Sequence, residues 1–318
     1  MLSAPDFMEK QLVVITSDQL KNLSLKNDNL VVKEDGKILN QLSCYKIFAI
    51  FAIWEFTITT KLIDRLLEYG VCIYYLKRNM KPRFIIGNSL EWNYTLRERQ
   101  YKGRRDWLYA RSLVNNKVHN QLTLMRAIRN KDSKLRDIIK NTQEMLLKTM
   151  KAEWEDSLRG MEGNVSKMFF KTYFHTIGWY KRLPRTRVDK INFLMDIGYT
   201  YLFNFIEANL NLYGFDVYRG VYHKQFYERK SLVCDIQEPF RCIIDAKILK
   251  MFNLGQVRDK DFKMKKWEYS LEWKSINRYT RLFMEEILLH KEDIYRYVKR
   301  YYRAVMKDAS VIPSYFIW

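Results

Sequence analysis

The chain has 318 residues, 47% hydrophobic and 15% aromatic, a composition that excludes a disordered chain and suffices for two domains or one large one. Its formal net charge is +20, and a surplus of that size beside so many aromatics predicts a polyanionic partner, nucleic acid before a membrane surface. The longest apolar run, 47–54, falls far short of the roughly 20 residues with which a helix crosses a bilayer, so a soluble intracellular protein is expected.

Residues 11–86 read as a β-rich domain. Asn27-Asp28 and Asp35-Gly36 separate short apolar runs as hairpin turns do, and 47–54 reads as a strand buried on both faces. Residues 57–70 supply threonine caps, the apolar set Leu62, Ile63, Leu66 and Leu67, and Gly70 as a stop, which predicts one helix. A strand over 71–76 follows, then a loop over 77–82 and a strand over 83–86. From about residue 91 the apolar period becomes helical and stays so. The expected helices cover 94–129, 134–153, 160–181, 188–211, 236–252, 275–290 and 291–307. The expected domains are therefore 1–90, β-rich, and 91–318, helical, meeting near 88–94 without a Pro/Gly/Ser-rich linker. The fold class is α+β.

Cys44, Cys72, Cys234 and Cys242 form no C-x-x-C pair, and residues 1–10 contain no signal-peptide core. A cytoplasmic protein with reduced cysteines is expected.

One stretch concentrates chemistry: His223, then Asp235 and Glu238 three residues apart, with Pro239 directly after. Proline is tolerated in the first turn of a helix, so a helix starting near Asp235 and running through Leu249 is expected. Asp235 and Glu238 then share its first turn, either as a capping box or, with His223, as part of a divalent-metal set. Spacing leaves both readings open.

The segment DIQEPFRCIID, preceded by GVYH and SL, resembles the signature of the CRISPR-associated integrase family, the first-numbered Cas protein of spacer acquisition. The upstream segment GMEGNVSKMFF, carrying Glu162, is similar to the same family's Glu-Gly helix start. The resemblance covers nearly the whole chain and implies an N-terminal β-sandwich followed by an all-α catalytic domain. It implies Glu162, His223 and Glu238 as metal ligands, Asp235 as the acid that orients a ligand or water, and Ser231 as a nearby hydroxyl. Lys117, Asn120 and Gln121 resemble a motif of the domain's first helix, and Arg187, Asn192, Gly198 and Tyr199 a helix packed beside the metal helix. Arg241 and Asp245, four apart, read as an intrahelical ion pair. The chain departs from the family pattern at Phe169, Asp196 and Val217, where tyrosine, asparagine and proline are usual.

Two basic stretches predict DNA contact. Arg97, Arg99, Lys102, Arg104, Arg105 and Arg111 surround aromatics, and Arg296, Lys299, Arg300 and Arg303 fall on one helix face. The expected activity is metal-dependent cleavage and joining of phosphodiesters with Mg2+ or Mn2+, inserting short DNA segments into a CRISPR array. The resemblance further implies double-stranded DNA substrates, a homodimer formed through the N-terminal domains, and the small ferredoxin-like second-numbered Cas protein as partner. A DNA-binding scaffold with an idle site is the second reading. A zinc hydrolase is the third, weakened by the absence of an HExxH motif. The sequence ends at Trp318 without room for an appended helix-turn-helix, so a self-guided transposase is not expected.

Overall fold

The computed structural model describes residues 3–16, 19–53, 55–77, 82–87, 93–179 and 181–317. Most of the expected boundary at 88–94 and most of the expected loop at 77–82 lie outside these residues. Two units result: Met1–Thr95 together with Glu207–Phe215, and Leu96–Ile206 together with Asp216–Trp318.

The first unit opens with a helical turn, α1 (Ala4–Glu9), then β1 (Gln11–Thr16), β2 (Lys21–Lys26), β3 (Asn29–Glu34), β4 (Lys37–Ser43), β5 (Ile47–Ile53) and β6 (Phe56–Ile58). Helix α2 (Thr60–Glu68), β7 (Cys72–Leu76) and β8 (Pro82–Ile86) complete it. One sheet runs β1-β5-β7-β8, parallel but for the β7–β8 pair, and the other runs β4-β3-β2-β6. The tight turns are where the sequence places them. Asn27 and Asp28 both take positive φ between β2 and β3, as do Asp35 and Gly36 between β3 and β4. Strand β5 is buried at every position. Ile50 and Ala52 share a core with Leu23, Leu30 and Val32 of the other sheet and Leu62 and Leu66 of α2, which binds the sheets face to face.

The second unit is helical apart from one hairpin. Its helices are α3 (Tyr94–Lys102, which starts in the first unit), α4 (Asp106–Arg126), α5 (Ser133–Met150), α6 (Glu155–Tyr173) and α7 (Lys190–Asn211, whose last residues belong to the first unit). There follow α8 (Ser231–Gln237), a 3-10 turn (Glu238–Phe240), α9 (Arg241–Asn253), the hairpin β9 (Phe262–Lys265) and β10 (Glu268–Leu271), α10 (Trp273–Leu289) and α11 (Lys291–Met306). Three expectations shift. The single helix over 94–129 is two, because Gly103 turns left-handed at φ +58, and a Cβ there would stand 2.8 Å from Arg219 Nη2 and Asp106 Oδ2. Glu162 lies two turns inside α6, which starts earlier at Glu155 and Asp156, acids that suit a helix N-terminus. Pro239 sits not in a first α-turn but in the 3-10 turn between two helices, so α8 begins at Ser231 and Asp235 is interior to it.

Helix α4 is the spine of this unit. Its Ala110, Val114 and Val118 pack with Ala152, Leu158 and Val165 of the following segments and with Tyr222. Its amides hold the last described residues: Tyr315 N donates to Asn116 Oδ1 at 2.9 Å, Asn120 Nδ2 to Tyr315 O at 2.9 Å, and Ile317 N to Asn120 Oδ1 at 3.2 Å.

Candidate metal centre

Asp235 is fully buried, and its carboxylate closes the turn that carries His223. Oδ2 accepts from Val221 N at 2.6 Å and Tyr222 N at 3.1 Å, and Oδ1 from His223 N at 2.9 Å. The turn must come close, since a Cβ on Gly220 would stand 2.6 Å from Asp235 Oδ2. The same Oδ1 lies 2.7 Å from His223 Nδ1. A carboxylate accepts and cannot donate, so Nδ1 carries a proton and Nε2 is the ring nitrogen left to ligate. Nε2 faces Glu238, 3.9 Å from Oε1. Asp235 is interior to α8 and Glu238 is that helix's C-cap, so neither serves in an N-terminal capping box and that reading lapses. Ser231, also buried, donates its hydroxyl to Lys224 O at 3.1 Å and closes the loop after His223.

Glu238 and Glu162 arrive from different elements, the 3-10 turn and α6, and Lys117 of α4 bridges them. Its ammonium pairs with Glu162 Oε1 and lies 2.7 Å from Glu238 Oε2. Asn120, nearly one turn further along α4, donates to Pro239 O at 2.8 Å and fixes the register of Lys117 against Glu238. Ser166 donates to Glu162 Oε1 at 3.0 Å, and Gln121 reaches Ser166 Oγ at 3.4 Å. Arg241 donates to Glu238 Oε1 at 2.9 Å. Burial opposes the charge on Glu238, but Arg241, Lys117 and His223 outweigh it and hold the carboxyl at about 2. Burial likewise opposes charge on Glu162, and Lys117 carries it below the usual carboxylate range. Burial would lower the Lys117 ammonium, but the two glutamates raise it instead.

The expected helix pair of Arg241 with Asp245 is not formed: Arg241 turns back to Glu238 and lies over the Tyr199 ring at 4.3 Å. Asp245 accepts instead from the Tyr199 hydroxyl, and burial pushes it up to about 6 against that bond and Arg241. Asn192 ties the loop before α7 by accepting from Leu183 N at 2.7 Å and Arg182 Nη1 at 2.9 Å, and Asp196 takes a second nitrogen of Arg182. Arg187, at φ 51, lies over the Phe193 ring at 6.0 Å. Phe169, buried, stacks on Tyr173 at 5.1 Å. A cavity of about 190 Å3 adjoins the two glutamates, lined by Lys117, Arg182, Tyr199 and Arg241 among others.

Among the described residues, no group of three or more His, Cys, Asp or Glu side chains stands at metal-holding spacing. The donor set nonetheless fits a hard divalent ion: two ionised carboxylates from separate elements, one imidazole nitrogen whose tautomer is fixed from behind, and no thiolate. Glu238 Oε2 is buried and its partner is the Lys117 ammonium at 2.7 Å, so a cation already occupies the place between the two carboxylates.

The two basic stretches meet in space. Arg105 Nε is 3.6 Å from Asp308 Oδ1, just past α11, and Tyr109 packs edge-on to Tyr301 at 5.9 Å. Arg99, Lys102 and Arg104 are exposed, Lys102 pairing with Glu98 at 2.7 Å, while Arg97 and Arg105 are half-buried. Arg111 reaches inward, toward Ala152 O at 3.4 Å. On α11, Arg296, Arg300 and Arg303 are exposed on the face opposite Ile294, Val298, Tyr301 and Val305, which are buried. Arg296 pairs with Glu292, Lys299 lies over the Tyr295 ring at 5.6 Å, and Arg300 and Arg303 make no ion pair among the described residues. No helix among these residues is long and apolar enough to cross a membrane.

Sequence reasoning placed Lys117 in a motif but missed its bridge between the glutamates, and it missed Arg182 altogether. The signal for Lys117 was present: Asn116, Lys117, Asn120 and Gln121 are polar at positions that interleave with the apolar face of α4.

Residues 13–285 match the family model described as CRISPR associated protein Cas1. A CRISPR-associated endonuclease Cas1 of Thermodesulfovibrio yellowstonii is 28% identical over 243 residues, covering 72% of this chain and 75% of the relative. The fold is shared with a chain of a Cas6-RT-Cas1–Cas2 complex at TM-score 0.81 and 23% identity, covering 98% of this chain and 36% of that one, so this chain spans about a third of that polypeptide. It is shared also with a casposase bound to integration product, at TM-score 0.76 and 18% identity, covering 96% of this chain and 94% of that one. With its signature residues gathered about one buried centre and the family model spanning most of its length, the chain belongs to the CRISPR associated protein Cas1 family.

Proposed function

We propose that this chain is a metal-dependent DNA endonuclease and integrase that inserts short DNA segments into a CRISPR array. The observation that carries the reading is the His223 imidazole, held at Nδ1 by buried Asp235 so that Nε2 faces Glu238, with Glu162 of α6 joined to Glu238 through the shared Lys117 ammonium. Glu162, His223 and Glu238 would hold Mn2+ or Mg2+, with Mn2+ favoured by the nitrogen ligand. When bound, the ion supplies charge to a phosphorane-like transition state and lowers the cost of activating a hydroxyl. The chain's own part is positional. Asp235 fixes the imidazole, Arg241 holds Glu238 ionised, and the exposed arginines of α3 and α11 meet the duplex backbone. A DNA 3′-hydroxyl placed at the site attacks a phosphodiester of the array, and the displaced 3′-oxygen leaves, so one bond forms as one breaks. The substrate is double-stranded DNA. The Cas6-RT-Cas1–Cas2 complex that shares the fold supports a small Cas2-type partner, and the working assembly is a homodimer of this chain joined to it.

The test mixes a short duplex bearing free 3′-hydroxyls with a supercoiled array plasmid, Mn2+ or Mg2+, and the small partner. Covalent joining that is lost when the 3′ ends are blocked is the expected result. Glu162→Ala, His223→Ala and Glu238→Ala should each abolish it to a similar degree, and their losses should not add, while duplex binding survives. Activity with Zn2+ alone, or tight DNA binding without covalent chemistry under any metal, would overturn the reading.

A further inference from the structure

Lys117 makes a contact the reaction does not require of a lysine: its ammonium is shared by the carboxylates of Glu162 and Glu238, the oxygens a divalent ion would need. The placement is built. Asn120 locks α4 to Pro239 O at 2.8 Å, which sets Lys117 opposite Glu238, and the Lys117 side chain keeps only 11% of its surface in solvent. Two cations cannot share these oxygens cheaply. A like charge a few ångströms away in a buried site shifts ionic equilibria by one to three powers of ten. The cavity of about 190 Å3 beside the glutamates, lined by Lys117 itself and by Arg182 and Arg241, leaves the ammonium room to move by rotation of its own side chain.

We propose that Lys117 is an internal counter-cation that competes with the divalent ion for Glu162 and Glu238, and that the ammonium, once displaced, turns into the adjoining cavity and meets a DNA phosphate there. This rests on Glu162, His223 and Glu238 being the ion's ligands. The lysine then has two effects of opposite sign. It weakens ion binding before DNA arrives, and it strengthens the hold on phosphate afterwards. It also makes ion and DNA binding cooperative, because a phosphate beside the ion gives the displaced ammonium a new partner.

The experiment compares wild type with Lys117→Met and Lys117→Gln, the second keeping a polar head should the first fail to fold. Mn2+ affinity is measured by titration calorimetry on the DNA-free protein, and joining is measured at saturating Mn2+. Both variants should bind Mn2+ about 10-fold or more tightly, while their joining rate falls. Duplex carrying free 3′ ends should raise the Mn2+ affinity of wild type more than that of either variant. Unchanged or weaker Mn2+ binding in both variants would overturn the proposal, since a purely structural lysine predicts loss of both properties together. Tighter Mn2+ binding in the variants with no joining by wild type in any metal would leave the competition standing and sink the integrase reading instead.

Discussion

Glu238 and Asp245 lie seven residues apart, both almost wholly out of solvent, yet the protein treats their charges in opposite ways. Glu238 is surrounded by Arg241, Lys117 and His223 and is held ionised at about 2. Asp245 has a neutral Tyr199 hydroxyl as its close partner, and burial pushes it up to about 6. Burial alone therefore does not mark a functional acid. What sets Glu238 apart is that cations from α4 and α9 and an imidazole from a third segment are directed at it, an arrangement that costs desolvation and keeps a carboxylate charged where an ion is needed.

The contrast breaks most sharply through stability. Glu238→Gln leaves the partly buried Lys117 and Arg241 with half their counter-charge, and should destabilise the chain by about 3 kcal/mol at neutral pH, the low end for breaking a buried pair because both cations keep some solvent. A denaturant midpoint within error of wild type would show that the cations are solvated and the cluster is not a unit. Asp245→Asn should move the other way. Its folded value of about 6 lies above the unfolded 3.8, so the native state binds the extra proton between those values and stability falls as pH rises through that window. The ionised carboxyl costs roughly 3 kcal/mol above pH 6. The variant should therefore melt higher than wild type at pH 7.5 and equally at pH 3.5, and a uniform offset across pH would refute the assignment.

Two smaller effects sharpen the comparison. Asp235→Asn places an amide where three backbone N–H groups and the imidazole all donate, so it should weaken Mn2+ binding and joining by on the order of 10- to 100-fold without abolishing either. A loss as complete as that of His223→Ala would make Asp235 a direct ligand. Arg300→Ala and Arg303→Ala, distant from the buried cluster in function, should leave Mn2+ affinity alone and lower the salt slope of duplex binding by about 0.9 per lost phosphate contact. An unchanged slope would reduce the α11 stripe to a solvated face.

The fold was largely legible where signals are local. Asn27-Asp28 and Asp35-Gly36 marked hairpin turns, and helical period located α5, α7, α10 and α11 to within a few residues but misplaced the ends of α4, α6 and α9, because backbone preference and apolar spacing are properties of neighbouring residues. The site was legible as a set of residues only through family resemblance. Its geometry was hidden, since the partners of Asp235 lie 12 to 14 residues back and Lys117 sits 45 residues from Glu162. The same limit explains the misread start of α8. Pro239 is compatible with a first helical turn, and nothing near it announces that Asp235 is already committed to the backbone of residues 221–223.

The clasp of Asn116 and Asn120 on Tyr315 and Ile317 has a kinetic consequence. Contacts separated by 195 to 199 residues are among the last that a folding chain can close, because loop entropy must be overcome before they contribute. Asn120 is also the residue that sets Lys117 opposite Glu238, through Pro239 O. The segment at 315–317 and the two glutamates thus share one anchor, and the charged centre should acquire its final register in the slowest phase of refolding. Until then the helices can be formed and packed while the site is still out of alignment.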